Sequence, residues 1–138
     1  MDYMYSFGRL RPYNPFVGGF VREGINIGTF KRFKNTRTQV YSLEIEDEAY
    51  KKIESIIEEM AKNKHIYKFN IRGLALALFR IRHRRKNKFY CSEFVRYLLE
   101  SSAVELNTIS EIIKPEDFRK IRKLHLEYEG LLRKYSVC

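Results

Sequence analysis

Apolar side chains recur at helical spacing in two segments of the chain. Residues 46–64 begin with acids and end with lysines, as the helix dipole favours, and their apolar positions lie three or four apart at Tyr50, Ile53, Ile57 and Met60. Residues 89–102 place Cys91, Val95, Leu98 and Ser102 at i, i+4, i+7 and i+11. The spacing predicts two amphipathic helices whose apolar stripes pack against the rest of the protein.

Segments rich in aromatic and β-branched residues predict the strands. They are residues 2–7, 26–33 and 38–45, with one or two closing strands over 123–135 that are broken at Gly130. Residues 9–24 contain two prolines and the pair Gly18–Gly19, and they are predicted to form a loop.

Two further segments predict shorter elements. Residues 67–88 begin like a strand, become a short apolar helix after Gly73 and end in the basic tract Arg80–Lys88. Pro115 occupies the first position of a predicted helical turn, with Glu116 and Asp117 at the positive end of that turn.

The order of these elements predicts an α+β fold with an antiparallel sheet and packed helices. Strands at 26–33 and 38–45 are close enough in sequence to form a hairpin, which requires antiparallel pairing. The 138 residues contain no repeat and no linker, so the sequence predicts a single domain over residues 1–138.

The amino-acid composition indicates the type of protein and the kinds of partner that it suits. With 44% hydrophobic and 32% charged residues, the chain is typical of a globular protein. Its formal charge of +10 suits nucleic acid, anionic lipid headgroups or an anionic polymer such as a teichoic-acid-like wall polymer. Two cysteines, one of them the last residue, form no disulfide framework, and neither a signal peptide nor a transmembrane segment is recognisable. We therefore expect a cytoplasmic protein, and, because no metal-binding or phosphate-binding motif is present, no metal or cofactor.

Cys91 allows two interpretations on its position alone. It lies on the apolar stripe of the helix at 89–102, where a free cysteine is commonly a buried and inert thiol. It also lies in the first turn of that helix, where unpaired backbone N–H groups lower a thiol pKa and can stabilise an oxyanion. Cys138, the last residue, lies neither on a predicted apolar stripe nor in the first turn of a predicted helix.

The segments FYCSEFVRYLLESS (89–102) and IIKPEDF (112–118) resemble the nucleophile helix and downstream proline turn of permuted papain-fold cysteine hydrolases. These are the YiiX-like and lecithin:retinol-acyltransferase-like relatives of NlpC-type cell-wall peptidases, and MYSFGR (4–9) and GGFVREGI (18–25) also resemble bacterial members. The resemblance implies a permuted papain-like fold with Cys91 as the nucleophile. It further implies that Tyr90, Ser92 and Glu93 shape the pocket or orient the site.

The partner histidine is the main departure from that family pattern. In the permuted group it lies on a strand just before the one predicted at 2–7, where this sequence has no residues. Two explanations are open: the sequence starts too late and lacks the histidine strand, or the site has degenerated. The absence of a whole strand, and not of the histidine alone, favours the late start. The edge left open would also permit a strand-mediated dimer. Among the histidines present, His125 is the best alternative base, whereas His65 and His83 are expected to be surface residues.

Two functions from different classes are therefore predicted. The first is thiol-dependent hydrolysis or acyl transfer on peptide, peptidoglycan-stem or lipid-acyl substrates, with weak or no activity in the chain as written. The alternative is a basic, non-catalytic module that binds nucleic acid or an anionic polymer through the tract Arg80–Lys88 and exposed aromatic residues.

Overall fold

A four-stranded sheet forms one part of the fold. The computed structural model describes residues 4–11, 14–25, 28–81, 86–104, 106 and 114–135. The strands are β1 (Met4–Arg11), β2 (Asn14–Glu23), β4 (Lys68–Phe69) and β5 (Lys88–Phe89), in the order β1-β2-β4-β5. β1, β2 and β4 are antiparallel neighbours, whereas β4 and β5 are parallel. The sheet is mixed, so the prediction of a purely antiparallel sheet was wrong.

A separate two-stranded sheet pairs β3 (Arg37–Ser42) with β6 (His125–Leu131). The pairing is antiparallel from Arg37–Leu131 to Ser42–His125, with a bulge at Val40–Tyr41. Gly130 pairs with Thr38 inside the ladder. The prediction that Gly130 breaks the closing strand was therefore wrong. A 3₁₀ turn over Leu132–Lys134 follows.

The helices are α1 (Gly28–Arg32), α2 (Asp47–Lys62), α3 (Ile71–Ala77) and α4 (Cys91–Ser101). α2 and α4 confirm the two helices predicted from apolar spacing. α3 begins two residues before Gly73, directly after β4. Together with the two sheets, these helices make the fold α+β, as predicted.

The predicted strand at 26–33 and its hairpin with 38–45 were wrong. Residues 28–32 form α1, and β3 pairs with the distant β6 instead. Lys31, Arg32 and Phe33 are all exposed, so this segment lacks the alternating burial that holds a strand in a sheet. Its aromatic and β-branched composition therefore did not decide its conformation.

The predicted loop at 9–24 was also wrong, because most of it is β2. Gly19 lies inside this strand and pairs with Lys68 of β4. A Cβ atom at position 19 would lie 2.4 Å from the carbonyl oxygen of Tyr67, which is closer than side-chain carbons approach. The glycine therefore permits close approach of β4 rather than a turn.

Aromatic rings from β1, β2, β5 and α4 make up most of the main core. Phe7 contacts Phe20, Phe89 and Phe94, with ring centroids 5.7, 4.8 and 5.1 Å away. The buried members of this cluster are Phe7, Phe20, Met60, Phe89, Phe94 and Leu98. A second cluster, built around Leu99, Leu106 and Ile121, covers another side of α4. α4 is thus packed from two directions, which fixes its position in the fold.

The predicted turn after Pro115 is a 3₁₀ helix, Pro115–Lys120, organised by a buried acid. Asp117 accepts a hydrogen bond from the backbone N–H of Lys114 at 2.8 Å. Its other carboxyl oxygen lies 3.2 Å from both the Lys120 ammonium and the Arg80 guanidinium. Asp117 therefore connects this turn to the end of α3. Within the described residues, no helix is both long enough and apolar enough to cross a membrane.

Candidate functional site

Two helices begin at the same edge of the four-stranded sheet. β4 runs into α3 through Asn70, and the neighbouring parallel strand β5 runs into α4 through Tyr90. The Asn70 N–H donates to the Phe89 carbonyl at 2.7 Å, which holds the two junctions side by side. Parallel strands place their carboxyl ends together, so the start of α4, and with it Cys91, lies at a junction of two strands and two helices.

Glu93 ties these two junctions together from inside the protein. Its side chain is buried, and one carboxyl oxygen accepts from the Tyr90 N–H at 3.3 Å and from Asn70 Nδ2 at 3.0 Å. The first contact satisfies a backbone donor that the start of α4 would otherwise leave open. The second joins α4 to the residue preceding α3. Glu93 therefore positions the helix that begins with Cys91.

Asn70 is the residue of this arrangement that the sequence analysis missed. It is fully buried, and its carbonyl accepts the Leu74 N–H at 3.0 Å in the first turn of α3. An asparagine immediately before an apolar helical segment is a common signal of a helix start. That signal was present in the sequence, but the helix had been expected to begin only after Gly73.

Tyr90 and Ser92, which flank Cys91, are also buried. The Tyr90 side chain packs against Ala77, Phe69 and Leu74, beneath α3. Ser92 is among the most deeply buried side chains of the described residues. Tyr90, Ser92 and Glu93 thus support the start of α4 from the protein interior, and whether they also contact a substrate stays a prediction.

Cys91 itself is half-buried and is the first residue of α4. Burial raises the pKa of its thiol, although hydrogen bonds from the backbone N–H groups of Ser92 and of Cys91 itself partly oppose this rise in pKa. The expectation that the helix start lowers this pKa is therefore not met, because desolvation outweighs the N–H groups. Backbone N–H groups of a first helical turn point out of the helix start, where they can stabilise an oxyanion.

The raised pKa predicts slow alkylation of Cys91 at neutral pH. Iodoacetamide reacts with the thiolate, so Cys91 in the folded protein should react more slowly at pH 7 than in the urea-unfolded chain. Its rate should keep rising at alkaline pH, where the rate of the unfolded chain levels off. Mass-spectrometric quantification of the alkylated Cys91 peptide measures both, and faster labelling of the folded protein at pH 7 would contradict the prediction.

The apolar stripe predicted on α4 is buried only along its second half. Leu98 and Ser102 are buried, whereas Val95 is 39% exposed and Cys91 is half-buried. Val95 opens on a groove of about 550 Å³ between α4, β3 and the 3₁₀ helix. Its lining consists of Arg37, Thr38, Gln39, Tyr41, Val95, Glu116, Phe118, Arg119 and Leu124. Cys91 lies one helical turn from Val95 on the same face, next to this groove rather than in its lining.

His125 does not hydrogen-bond to Cys91 within the described residues. It lies on β6, opposite Ser42 in the two-stranded sheet, and its side chain is exposed. Glu127, two residues further on the same strand face, is also exposed and accepts a hydrogen bond from the Ser42 hydroxyl. His65 is exposed in the turn after α2, as expected, and His83 lies outside the described residues.

The part of the chain that the structure describes contains no group of three or more His, Cys, Asp or Glu side chains able to hold a metal ion. Comparisons with protein-family models, with curated proteins and with solved structures found no match. The function is therefore inferred from the residues at the start of α4.

Proposed function

We propose that this protein is a papain-like cysteine hydrolase or acyltransferase of the permuted NlpC type, with Cys91 as its nucleophile. The proposal is carried by the position of Cys91 as the first residue of α4, where the backbone N–H groups of the first turn, among them those of Cys91 and Ser92, point toward the helix start. Glu93 and Asn70 hold this helix start in place from the interior. The sequence resemblance of residues 89–102 to the nucleophile helix of that group supports the same assignment.

The chemistry at this position follows from the groups present. The thiol proton passes to a base, and the thiolate attacks the carbonyl carbon of an amide or ester. The two N–H groups stabilise the negative oxygen that forms. The bond to the leaving group then breaks as the base returns the proton, which leaves a thioester on Cys91. Water hydrolyses this thioester, or an acceptor takes the acyl group. Substrates of this class include peptides, peptidoglycan stems and lipid acyl groups.

The base is the part of this chemistry that the described residues do not bring to Cys91. Burial keeps the thiol protonated at neutral pH, so a base is needed to generate the thiolate. The resemblance implies a histidine on a strand next to β1, and β1 is one of the two edge strands of the described four-stranded sheet. Phe7 of β1 packs on Phe94 of α4, so a strand paired there would join the sheet that supports the nucleophile helix. His125 is the alternative within the chain.

Chemical rescue tests whether Cys91 is a nucleophile that needs a base. Hydrolysis of a p-nitrophenyl ester is measured with increasing imidazole for the wild-type protein and for Cys91→Ala. We expect a Cys91-dependent rate that is small without imidazole and rises at least about tenfold with it. This is less than the roughly 100- to 10,000-fold that a positioned general base contributes, because free imidazole is not held in place. The Cys91→Ala variant corrects for hydrolysis by imidazole itself.

Two outcomes decide the assignment. Equal rates for the wild-type protein and Cys91→Ala at every imidazole concentration would remove the hydrolase proposal. A parallel His125→Ala variant separates the two sources of the base. If the activity without imidazole is Cys91-dependent and is lost in His125→Ala, His125 is the base; if it is unchanged, the base is supplied from elsewhere.

The alternative function, non-catalytic binding of nucleic acid or an anionic polymer, is supported by a different group of residues. Leu78 and Phe79 are exposed directly before the basic tract Arg80–Lys88, and Ile81 is exposed within it. This surface does not include Cys91, so binding through it should survive Cys91→Ala.

A further inference from the structure

The end of α3 is a hydrogen-bonded turn with an unusual residue at its turning point. The Ile81 N–H donates to the Leu76 carbonyl at 3.0 Å and the Arg80 N–H donates to the Ala77 carbonyl at 2.9 Å. This pair of bonds is the Schellman motif, in which the residue at the position of Arg80 adopts a left-handed conformation. Arg80 has a φ of 57°, where glycine is the usual residue. The turn therefore has a defined structure despite its exposed position.

Three large apolar side chains project from this turn. Phe79 is 78% exposed, Leu78 is 68% exposed and Ile81 is 51% exposed. We call these three side chains the apolar turn. Single exposed apolar residues are common, but several on one hydrogen-bonded turn form a contiguous patch, which in a globular protein usually marks an interaction surface.

Basic side chains lie at the apolar turn and close to it in the sequence. Arg80, within it, is held by Asp117 at 3.2 Å but keeps nearly half of its side chain exposed. Lys120 lies 3.2 Å from the same Asp117 oxygen and keeps half of its side chain exposed. Lys86, five residues after Ile81 in the sequence, and Arg72, on α3, are also exposed. Two basic side chains thus share one acid at this turn, which favours an occupant that is negatively charged as well as apolar.

We propose that the apolar turn docks the protein on the surface of an anionic lipid bilayer. Leu78, Phe79 and Ile81 enter the boundary between headgroups and acyl chains, and the surrounding Arg and Lys side chains contact the headgroups. A bilayer carries both required properties on one surface. The proposal does not depend on Cys91 or on its chemistry, so it can fail or hold independently of the hydrolase assignment.

Two other occupants fit the surface less well. Nucleic acid offers the negative charge, but its bases stack on aromatic rings, and Leu78 and Ile81 cannot provide such stacking. A second copy of the chain offers apolar surface, but two copies meeting at this turn would bring Arg80 and Lys86 against their equivalents in a protein of formal charge +10.

Vesicle co-sedimentation tests the proposal on the full chain. Vesicles of phosphatidylcholine with phosphatidylglycerol are compared with vesicles of phosphatidylcholine alone. We expect binding to the anionic vesicles that weakens as salt rises, and little binding to the neutral ones. The double variant Leu78→Ser/Phe79→Ser should lose more than about tenfold in vesicle affinity, because both side chains no longer gain from leaving water.

Matched variants show whether the loss belongs to this surface. Phe33 is 53% exposed between Arg32 and Lys34, so Phe33→Ser removes an exposed aromatic residue with basic neighbours elsewhere on the protein. It should leave vesicle binding unchanged. Lys86→Glu should weaken binding at least about fivefold by reversing a charge near the surface, whereas Lys62→Glu at the end of α2 should not. Equal far-UV circular dichroism and thermal unfolding midpoints show that the variants are folded.

Several results would overturn the proposal. One is that the Leu78→Ser/Phe79→Ser variant binds anionic vesicles as tightly as the wild-type protein does. The same holds if Phe33→Ser weakens this binding as much as the double variant does. Another is equal binding to neutral vesicles. A single-stranded DNA oligonucleotide that binds the wild-type protein and loses affinity in Leu78→Ser/Phe79→Ser would assign the surface to nucleic acid. A dimer seen by light scattering that the same variant dissociates would assign it to a second copy.

Discussion

Replacement of Phe94 by alanine should lower the free energy of unfolding by about 3–5 kcal/mol, the usual cost of deleting a buried aromatic ring. Phe94 is 2% exposed, and its ring lies among those of Phe7, Phe20 and Phe89. The surrounding rings come from β1, β2 and β5, so they cannot collapse into the cavity without moving three strands. Urea unfolding followed by circular dichroism measures the change.

Val95→Ala is the matched control, because it truncates the next residue of the same helix. Val95 opens on the groove instead of the core, and alanine has the higher helix propensity, so the free energy of unfolding should change by less than about 0.5 kcal/mol. An effect of Phe94→Ala as small as that of Val95→Ala would mean that the aromatic cluster does not hold α4. A similar slope with urea in both variants would show that the folded and unfolded states keep their compactness.

Glu93→Ala should lower the free energy of unfolding by about 2–4 kcal/mol, because it leaves two buried donors without their carboxyl partner. Those donors are the Tyr90 N–H and Asn70 Nδ2, and both point at the same oxygen of Glu93. The start of α4 and the start of α3 would thereby lose their common contact. Thermal or urea unfolding gives the size of the effect.

Glu93→Gln separates the hydrogen bonds from the negative charge. A glutamine carbonyl can occupy the place of that oxygen and accept from both donors, so the loss should be less than about 1 kcal/mol. If the charge rather than the hydrogen bonds holds this helix start, alanine and glutamine will destabilise the protein equally. That result would contradict the role of Glu93 as a hydrogen-bond acceptor that joins the two helix starts.

The elements that local patterns predicted well are those whose residues face one environment along their length. α2 and α4 each turn one apolar stripe toward the core, although neither stripe is buried over its full length. The 3₁₀ helix begins at Pro115 with acids in its first turn, so spacing and helix-start signals were sufficient. The position of Cys91 at a helix start was predicted for the same reason. Its environment was left open between a buried thiol and one with a lowered pKa, because the extent of burial that raises the thiol pKa depends on neighbours far away in sequence.

The wrong predictions concern residues whose conformation is set by a distant partner. Gly19 looked like a turn residue, but its role is to let β4 approach β2. β3 pairs with β6 across most of the chain instead of with the preceding segment. β4 and β5 are two residues each, too short for any alternation to show, yet their parallel pairing places Asn70 beside the start of α4. Such contacts leave no periodic trace in the sequence.

The parallel pair of β4 and β5 also bears on the order in which the protein folds. β1 and β2 form a hairpin between neighbouring segments, whereas β4 and β5 meet only after α3 and the basic tract have been looped back. Closing that loop costs conformational entropy, and the short β4–β5 ladder offsets this cost only after it has formed. The junction at Cys91 therefore forms after the β1–β2 hairpin, and a refolding chain carries an accessible thiol until β4 and β5 pair.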